Sequence, residues 1–167
     1  MTAKQLSFQT GLQLDSCSYV LWELSVYELV YCLNNQTRKS RLYWLTELGK
    51  KCRGKVSDHL ALALVTNELP EIDWNLYGWV CFTHRAAVIK ALHSPMQPVR
   101  IVTTARFKDP QIRMSANNVR DVIKRFLEEE IVQKVPGPRK RSHPCYSLTA
   151  TGLKLQALLL RAEEKPT

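Results

Sequence analysis

No stretch of this sequence approaches the roughly 18 consecutive apolar residues that a membrane span requires, and its start lacks the basic-then-apolar layout of a secretory signal. Both absences predict a cytoplasmic protein with no membrane partner. The five cysteines, Cys17, Cys32, Cys52, Cys81 and Cys145, are odd in number and scattered. With no Cys-x-x-Cys pair and no His-x-x-x-His to accompany one, the pattern argues against a zinc site and for small buried thiols in a reducing compartment. His59, His84, His93 and His143 are equally dispersed. There is no glycine-rich phosphate loop, no Gly-x-Ser-x-Gly, and no pair of carboxylates outside solvated runs such as Glu128-Glu129-Glu130. The expectation is a binding protein without metal or cofactor rather than an enzyme.

What is abundant is positive charge, 24 Lys/Arg against 15 Asp/Glu. Residues 1–55 hold eight Lys/Arg against four Asp/Glu, residues 56–75 none against four, and residues 76–167 sixteen against seven. Two basic modules on either side of an acidic connector fit a polyanion-binding pair better than a uniformly basic surface does. A chain of 167 residues with 45% hydrophobic content suffices for one ordinary domain or two small ones.

An internal repeat favours two. Tyr43-Trp44-Leu45-Thr46-Glu47-Leu48-Gly49 and Tyr146-Ser147-Leu148-Thr149-Ala150-Thr151-Gly152 share the phrase Tyr-x-Leu-Thr-x-x-Gly. Each copy follows a basic segment, which in turn follows an amphipathic stretch ending in an apolar pair, Leu29-Val30 and Ile131-Val132. Tyr43 to Tyr146 is a shift of 103 residues and Leu29 to Ile131 one of 102. Such register marks a duplicated unit.

In the first copy, residues 2–12 predict a short helix stopped by Gly11, and Asp15 or Gln13 opens a second helix to about Leu24, with Cys17, Val20, Leu21 and Leu24 on its apolar face. Leu29–Leu33 and Leu42–Leu45 are β-rich runs flanking a polar loop that carries Arg38, Lys39 and Arg41. The acidic, helix-prone stretch Val56–Leu69, with Ser57 as its N-cap and Pro70 as its stop, is expected to cover the open side of this copy. In the second copy a helix is expected over Leu76–His93, another over Val99–Phe107, and a third over Ala116–Glu128 capped by Ser115 and striped by Val119, Val122, Ile123 and Phe126. Opposite that stripe lie Asn117, Asn118, Arg120, Asp121, Lys124 and Arg125. A hairpin follows with Arg139, Lys140, Arg141 and His143 in its loop. Thr149 then caps a final helix to about Ala162, whose Leu153, Leu155, Leu158 and Leu159 are available to dock or dimerise.

The order helix, helix, strand, basic tip, strand, helix resembles the winged helix-turn-helix family, over nearly the whole chain except residues 53–75 and the tail. The fold class implied is mostly α with small β-hairpins (α+β), as two tandem winged helix-turn-helix modules: 1–52, lacking its leading helix; 53–75, an acidic helical connector; and 76–162, a complete module. The resemblance implies sequence-specific binding of double-stranded DNA, in the setting of transcriptional regulation. It implies contacts from Ser115, Asn117, Asn118, Arg120, Lys124 and Arg125 on the second recognition helix, and from Arg139, Lys140, Arg141 and His143 on its wing. In the first module the corresponding residues are Ser16, Ser18 and Tyr19, with Arg38, Lys39 and Arg41 on the wing. Trp22 and Tyr27 make that module more aromatic than a DNA reader, which keeps a protein-interaction scaffold open. A plasmid-type replication initiator has the same architecture and also stays open, as does a homodimer through Val56–Leu69 or the C-terminal helix.

Overall fold

The computed structural model describes residues 1–59, 71–137 and 144–163. Among these, eight helices and two short antiparallel hairpins make a mostly helical α+β chain: α1 (Ala3–Thr10), α2 (Leu14–Val26), β1 (Val30–Cys32), β2 (Tyr43–Leu45), α3 (Glu47–His59), α4 (Trp74–Val80), α5 (Thr83–Ala91), α6 (Pro98–Lys108), α7 (Ala116–Glu128), β3 (Val132–Val135), β4 (Cys145–Leu148) and α8 (Ala150–Arg161). The chain divides into two compact units, the first running Met1–Trp79 and the second Val80–Ala162. No helix of the described residues is long and apolar enough to cross a membrane.

The two copies of the Tyr-x-Leu-Thr-x-x-Gly phrase sit in matching sets of hydrogen bonds. Helices α2 and α7 both end with a residue in the left-handed region, Glu28 (φ 55°) and Glu130 (φ 52°). The next amide reaches back five residues, Leu29 N to Leu24 O at 2.9 Å and Ile131 N to Phe126 O at 2.8 Å. The left-handed residue's own amide bonds to the carbonyl three back, Glu28 N to Ser25 O at 3.2 Å and Glu130 N to Leu127 O at 3.3 Å. Glycine usually fills this Schellman position, because a Cβ there costs about 1–2 kcal/mol. Glutamate in both copies means that the surrounding bonds hold the turn.

A threonine supplies those bonds. Thr46 Oγ1 donates to Glu28 O at 2.6 Å and accepts from Gly49 N at 3.0 Å; Thr149 Oγ1 donates to Glu130 O at 2.6 Å and accepts from Gly152 N at 3.1 Å. One hydroxyl thus caps the start of α3 or α8 and ties it to the end of α2 or α7, which is the physical content of the repeated phrase. Thr149→Val keeps the shape and removes these bonds, with the longer one from Thr149 Oγ1 to Ile131 O at 3.1 Å. It is expected to cost the second unit about 1–2 kcal/mol, seen as a lower thermal midpoint; an unchanged midpoint would show the hydroxyl idle.

The correspondence extends beyond what the sequence displays. Met96 exchanges both backbone bonds with Tyr146, at 3.1 and 3.0 Å, and Met1 exchanges the equivalent pair with Tyr43, both at 2.9 Å. Each methionine leads into a helix, α1 closed by a Thr2 capping box and α6 opened by Pro98 with no side-chain cap. The second unit spends four more residues in the turn between its paired helices and three more in α6 than in α1, which hides the match from alignment.

Several expectations are corrected. Helix α3 starts after Thr46 and runs through His59, so Ser57 lies inside a helix and opens none. The remainder of the predicted Val56–Leu69 helix falls outside the described residues. The helix expected over Leu76–His93 is two, α4 and α5, because Phe82 adopts an extended backbone (φ −68°, ψ 140°) and starts the second. Leu155 and Leu159, read as free to dock, are 2% and 4% exposed. They are spent in their own unit, where α8 packs on α5 and Gln156 Nε2 donates to Ile89 O at 2.6 Å. Val20, expected in the core, is 39% exposed, since the buried direction of α2 is set by Cys17 and Leu21.

Candidate nucleic-acid interface

In the second unit, α5, α6 and α7 pack around Val88, Ile89, Ile101, Val119, Ile123 and Phe126, each at most 2% exposed. The turn between α6 and α7 is pinned from both sides. Arg106 Nη2 donates to Met114 O at 2.8 Å, and Ile112 and Met114 are buried beneath it. That clamp fixes where α7 begins and which of its faces points outward.

The first turn of α7 is closed by a capping box. Asn118 N donates to Ser115 Oγ at 3.2 Å, Ser115 N to Asn118 Oδ1 at 2.9 Å, and Ser115 Oγ to the same oxygen at 2.8 Å. The winged-helix resemblance implies DNA contacts for both residues; in the structure their side chains hold the helix start, and the oxygen of Asn118 accepts both Ser115 bonds. Asn117 Oδ1 accepts from Arg120 Nη1 at 2.7 Å, so these two side chains act as one oriented donor group. Lys124 and Arg125 stand exposed further along α7. Arg125 also neighbours Arg85. Burial first, and the charge of Arg125 second, hold the Arg85 guanidinium below its ordinary value, while Arg85 lies 5.4 Å from the centre of the Phe82 ring.

The exposed cations of this unit that the sequence reading leaves out include Arg100 on α6, Arg113 in the turn and Lys134 on β3. Their signal is weak because each is a lone charge, and only the fold shows that Arg113 enters α7 and that Lys134 leads to the hairpin tip. Phe107, 88% exposed at the end of α6, was read only as a helix boundary. Arg139, Lys140, Arg141 and His143 lie outside the described residues.

In the first unit, Ser16, Ser18 and Tyr19 are exposed on α2. The Ser18 hydroxyl bonds back to Leu14 O at 2.9 Å, and the Tyr19 ring meets Trp22 at 5.7 Å. Arg38, Lys39 and Arg41 are exposed in the hairpin loop, where Arg41 Nε donates to Thr37 O at 3.3 Å. The buried Asn34 organises this loop. Among the described residues no group of three or more His, Cys, Asp or Glu could hold a metal ion.

The shift of 102 residues allows the outer faces of α2 and α7 to be compared position by position. Asn117, Arg120, Lys124 and Arg125 of α7 stand where α2 has Asp15, Ser18, Trp22 and Glu23. One face is basic and amide-bearing; its counterpart is acidic and aromatic.

No family model matches the chain, and no curated protein matches it. Among solved structures it is similar to the diamide-treated YodB from B. subtilis, with a TM-score of 0.44 and 21% identity, over 57% of this chain and 89% of that one.

Proposed function

We propose that this protein binds double-stranded DNA through its second unit and acts in transcriptional regulation. In this reading residues 1–52 and 76–162 are two winged helix-turn-helix modules joined by 53–75. The observation that carries it is the outer face of α7. Asn117 and Arg120 are bonded into one group on a helix whose opposite side is buried, and Lys124 and Arg125 follow on the exposed side. Arginine and asparagine make paired hydrogen bonds to guanine and adenine edges, and cations beside them neutralise phosphates. Lys134 on β3, and the three adjacent cations of the segment that joins β3 to β4, add charge on the next element along the chain.

The test is an anisotropy titration of the full chain with duplex DNA across salt. Affinity is expected to fall steeply as salt rises, because bound cations release counterions. Replacing Arg139, Lys140 and Arg141 together by alanine should reduce the slope of log K against log salt by up to about 2.7, at about 0.9 per phosphate contact. Arg120→Ala should weaken binding by about tenfold or more and relax sequence preference, at roughly 1–3 kcal/mol for a paired base contact. No duplex binding at about 50 mM salt, where such contacts are favoured, would falsify the reading.

A further inference from the structure

We propose that the outer face of α2 is a docking surface for a basic, apolar helical segment of another protein. The proposal concerns the first unit and stands whether or not the second binds DNA.

Four observations carry it. First, Tyr19, Trp22 and Val26 are 60%, 56% and 58% exposed, and their spacing of three and four places them on one side of α2, opposite the buried Cys17 and Leu21. Aromatic side chains bury about 150–250 Å² each when fully covered, and these stand a little over half exposed. With Tyr27, 63% exposed at the helix end, the face reaches the few hundred Å² at which exposed apolar patches mark interaction sites. Second, the Tyr19 and Trp22 rings touch at 5.7 Å between centroids, so part of the patch is ordered before anything binds. Tryptophan and tyrosine are the side chains most enriched among energetic anchors of interfaces.

Third, α2 carries Asp15 and Glu23 and no lysine or arginine. A phosphate backbone is repelled by such a face, and an acidic partner likewise. A segment with lysine or arginine flanking apolar anchors complements it. Fourth, a cleft of about 550 Å³ opens at the end of the same helix, lined by Ser25, Glu28, Val30, Tyr31, Thr46, Glu47 and Leu48. Glu47 is paired with Lys50 at 2.6 Å. Glu28, whose backbone lies in the left-handed region, lines the cleft beside the apolar Val30, Tyr31 and Leu48. The cleft therefore repeats the chemistry of the helix face: apolar contact beside negative charge. An amphipathic helix laid along α2 would seat one anchor there.

The test is selection of displayed helical peptides, randomised at their exposed positions, against the full-length chain. Enriched peptides are expected to be net basic with apolar residues at spacings of three and four. Their affinity should drop at least tenfold for the Tyr19→Ala, Trp22→Ala double variant and should reverse toward acidic peptides for Asp15→Lys, Glu23→Lys. Asp15, Tyr19 and Trp22 are exposed and Glu23 is half-buried, so thermal midpoints are measured for each variant, and unchanged midpoints separate lost binding from lost folding. Four outcomes overturn the proposal. Enriched peptides that are acidic, or indifferent to Trp22, show that the face is not the site. A mass that rises with concentration and returns to monomer in Trp22→Ala assigns the face to a second copy. Peptide binding that tightens tenfold when Arg139, Lys140 and Arg141 become alanine assigns it to the chain's own basic segment. Loss of duplex affinity in Trp22→Ala assigns it to DNA.

Discussion

Gly152→Ala is expected to destabilise the second unit by about 3 kcal/mol, and Gly49→Ala the first by a similar amount. A Cβ at Gly152 would stand 2.2 Å from Ile131 O, and one at Gly49 2.0 Å from Leu29 O. Both atoms are backbone and neither can rotate away. Each carbonyl is moreover engaged: Ile131 O accepts from Thr149 N at 3.0 Å and Thr149 Oγ1 at 3.1 Å, and Leu29 O from Thr46 N at 3.0 Å and Thr46 Oγ1 at 3.3 Å. Moving the carbonyl to make room loosens the clamp that sets the helix against the hairpin. The loss should appear as a fall of more than about 10 °C in the thermal midpoint of the affected unit. Gly54 is the internal control. It sits within α3 with nothing within 4 Å of a Cβ, so Gly54→Ala should stabilise by about 0.5–1 kcal/mol. Equal effects at all three positions would refute the steric account.

Asn34→Leu is expected to cost the first unit about 3 kcal/mol despite its modest change of volume. Asn34 is 1% exposed and bridges the hairpin loop. Leu42 N donates to its Oδ1 at 2.7 Å, its Nδ2 donates to Ser40 O at 3.1 Å, and its own carbonyl accepts from Thr37 N and Thr37 Oγ1, both at 3.0 Å. Leucine leaves the buried Leu42 amide and the part-buried Ser40 carbonyl without these partners, at about 1–3 kcal/mol each. Ser40 is itself at φ 55°, a conformation that a non-glycine residue keeps only when its surroundings impose it. Gly78 of α4 closes the same pocket, since a Cβ there would lie 2.1 Å from Asn34 Nδ2. Urea unfolding of Asn34→Leu should show the loss in the first transition only, with duplex affinity unchanged. A loss of duplex affinity would instead assign the loop of Arg38, Lys39 and Arg41 to DNA.

The sequence made the candidate face legible where its signals were local. The three-and-four spacing of Val119, Val122, Ile123 and Phe126 located α7 and its outward side, Ser115 marked its start, and Thr149 the start of α8. Charge segregation along the chain separated two basic parts. Less legible was what each exposed polar side chain is already doing. Asn118 reads as a free amide in sequence, yet its oxygen is held by Ser115, three residues away. Asn34 reads as one more polar loop residue, because its partners reach as far as eight positions along the chain.

By itself, then, the sequence displayed a phrase used twice, marked the starts of α7 and α8 by Ser115 and Thr149, and showed that α2 and α7, aligned by that phrase, carry opposed surface chemistry. All three follow from residue types at fixed short spacings. Tertiary structure decided which leucines of α8 are core, where the helix expected over Leu76–His93 divides, and why each repeated phrase needs its glycine. Those depend on atoms far apart in the chain, such as Ile131 O against Gly152 or Ile89 O against Gln156. Contacts of that kind leave no periodicity to read, because close packing is fixed by shape across elements rather than by order along one.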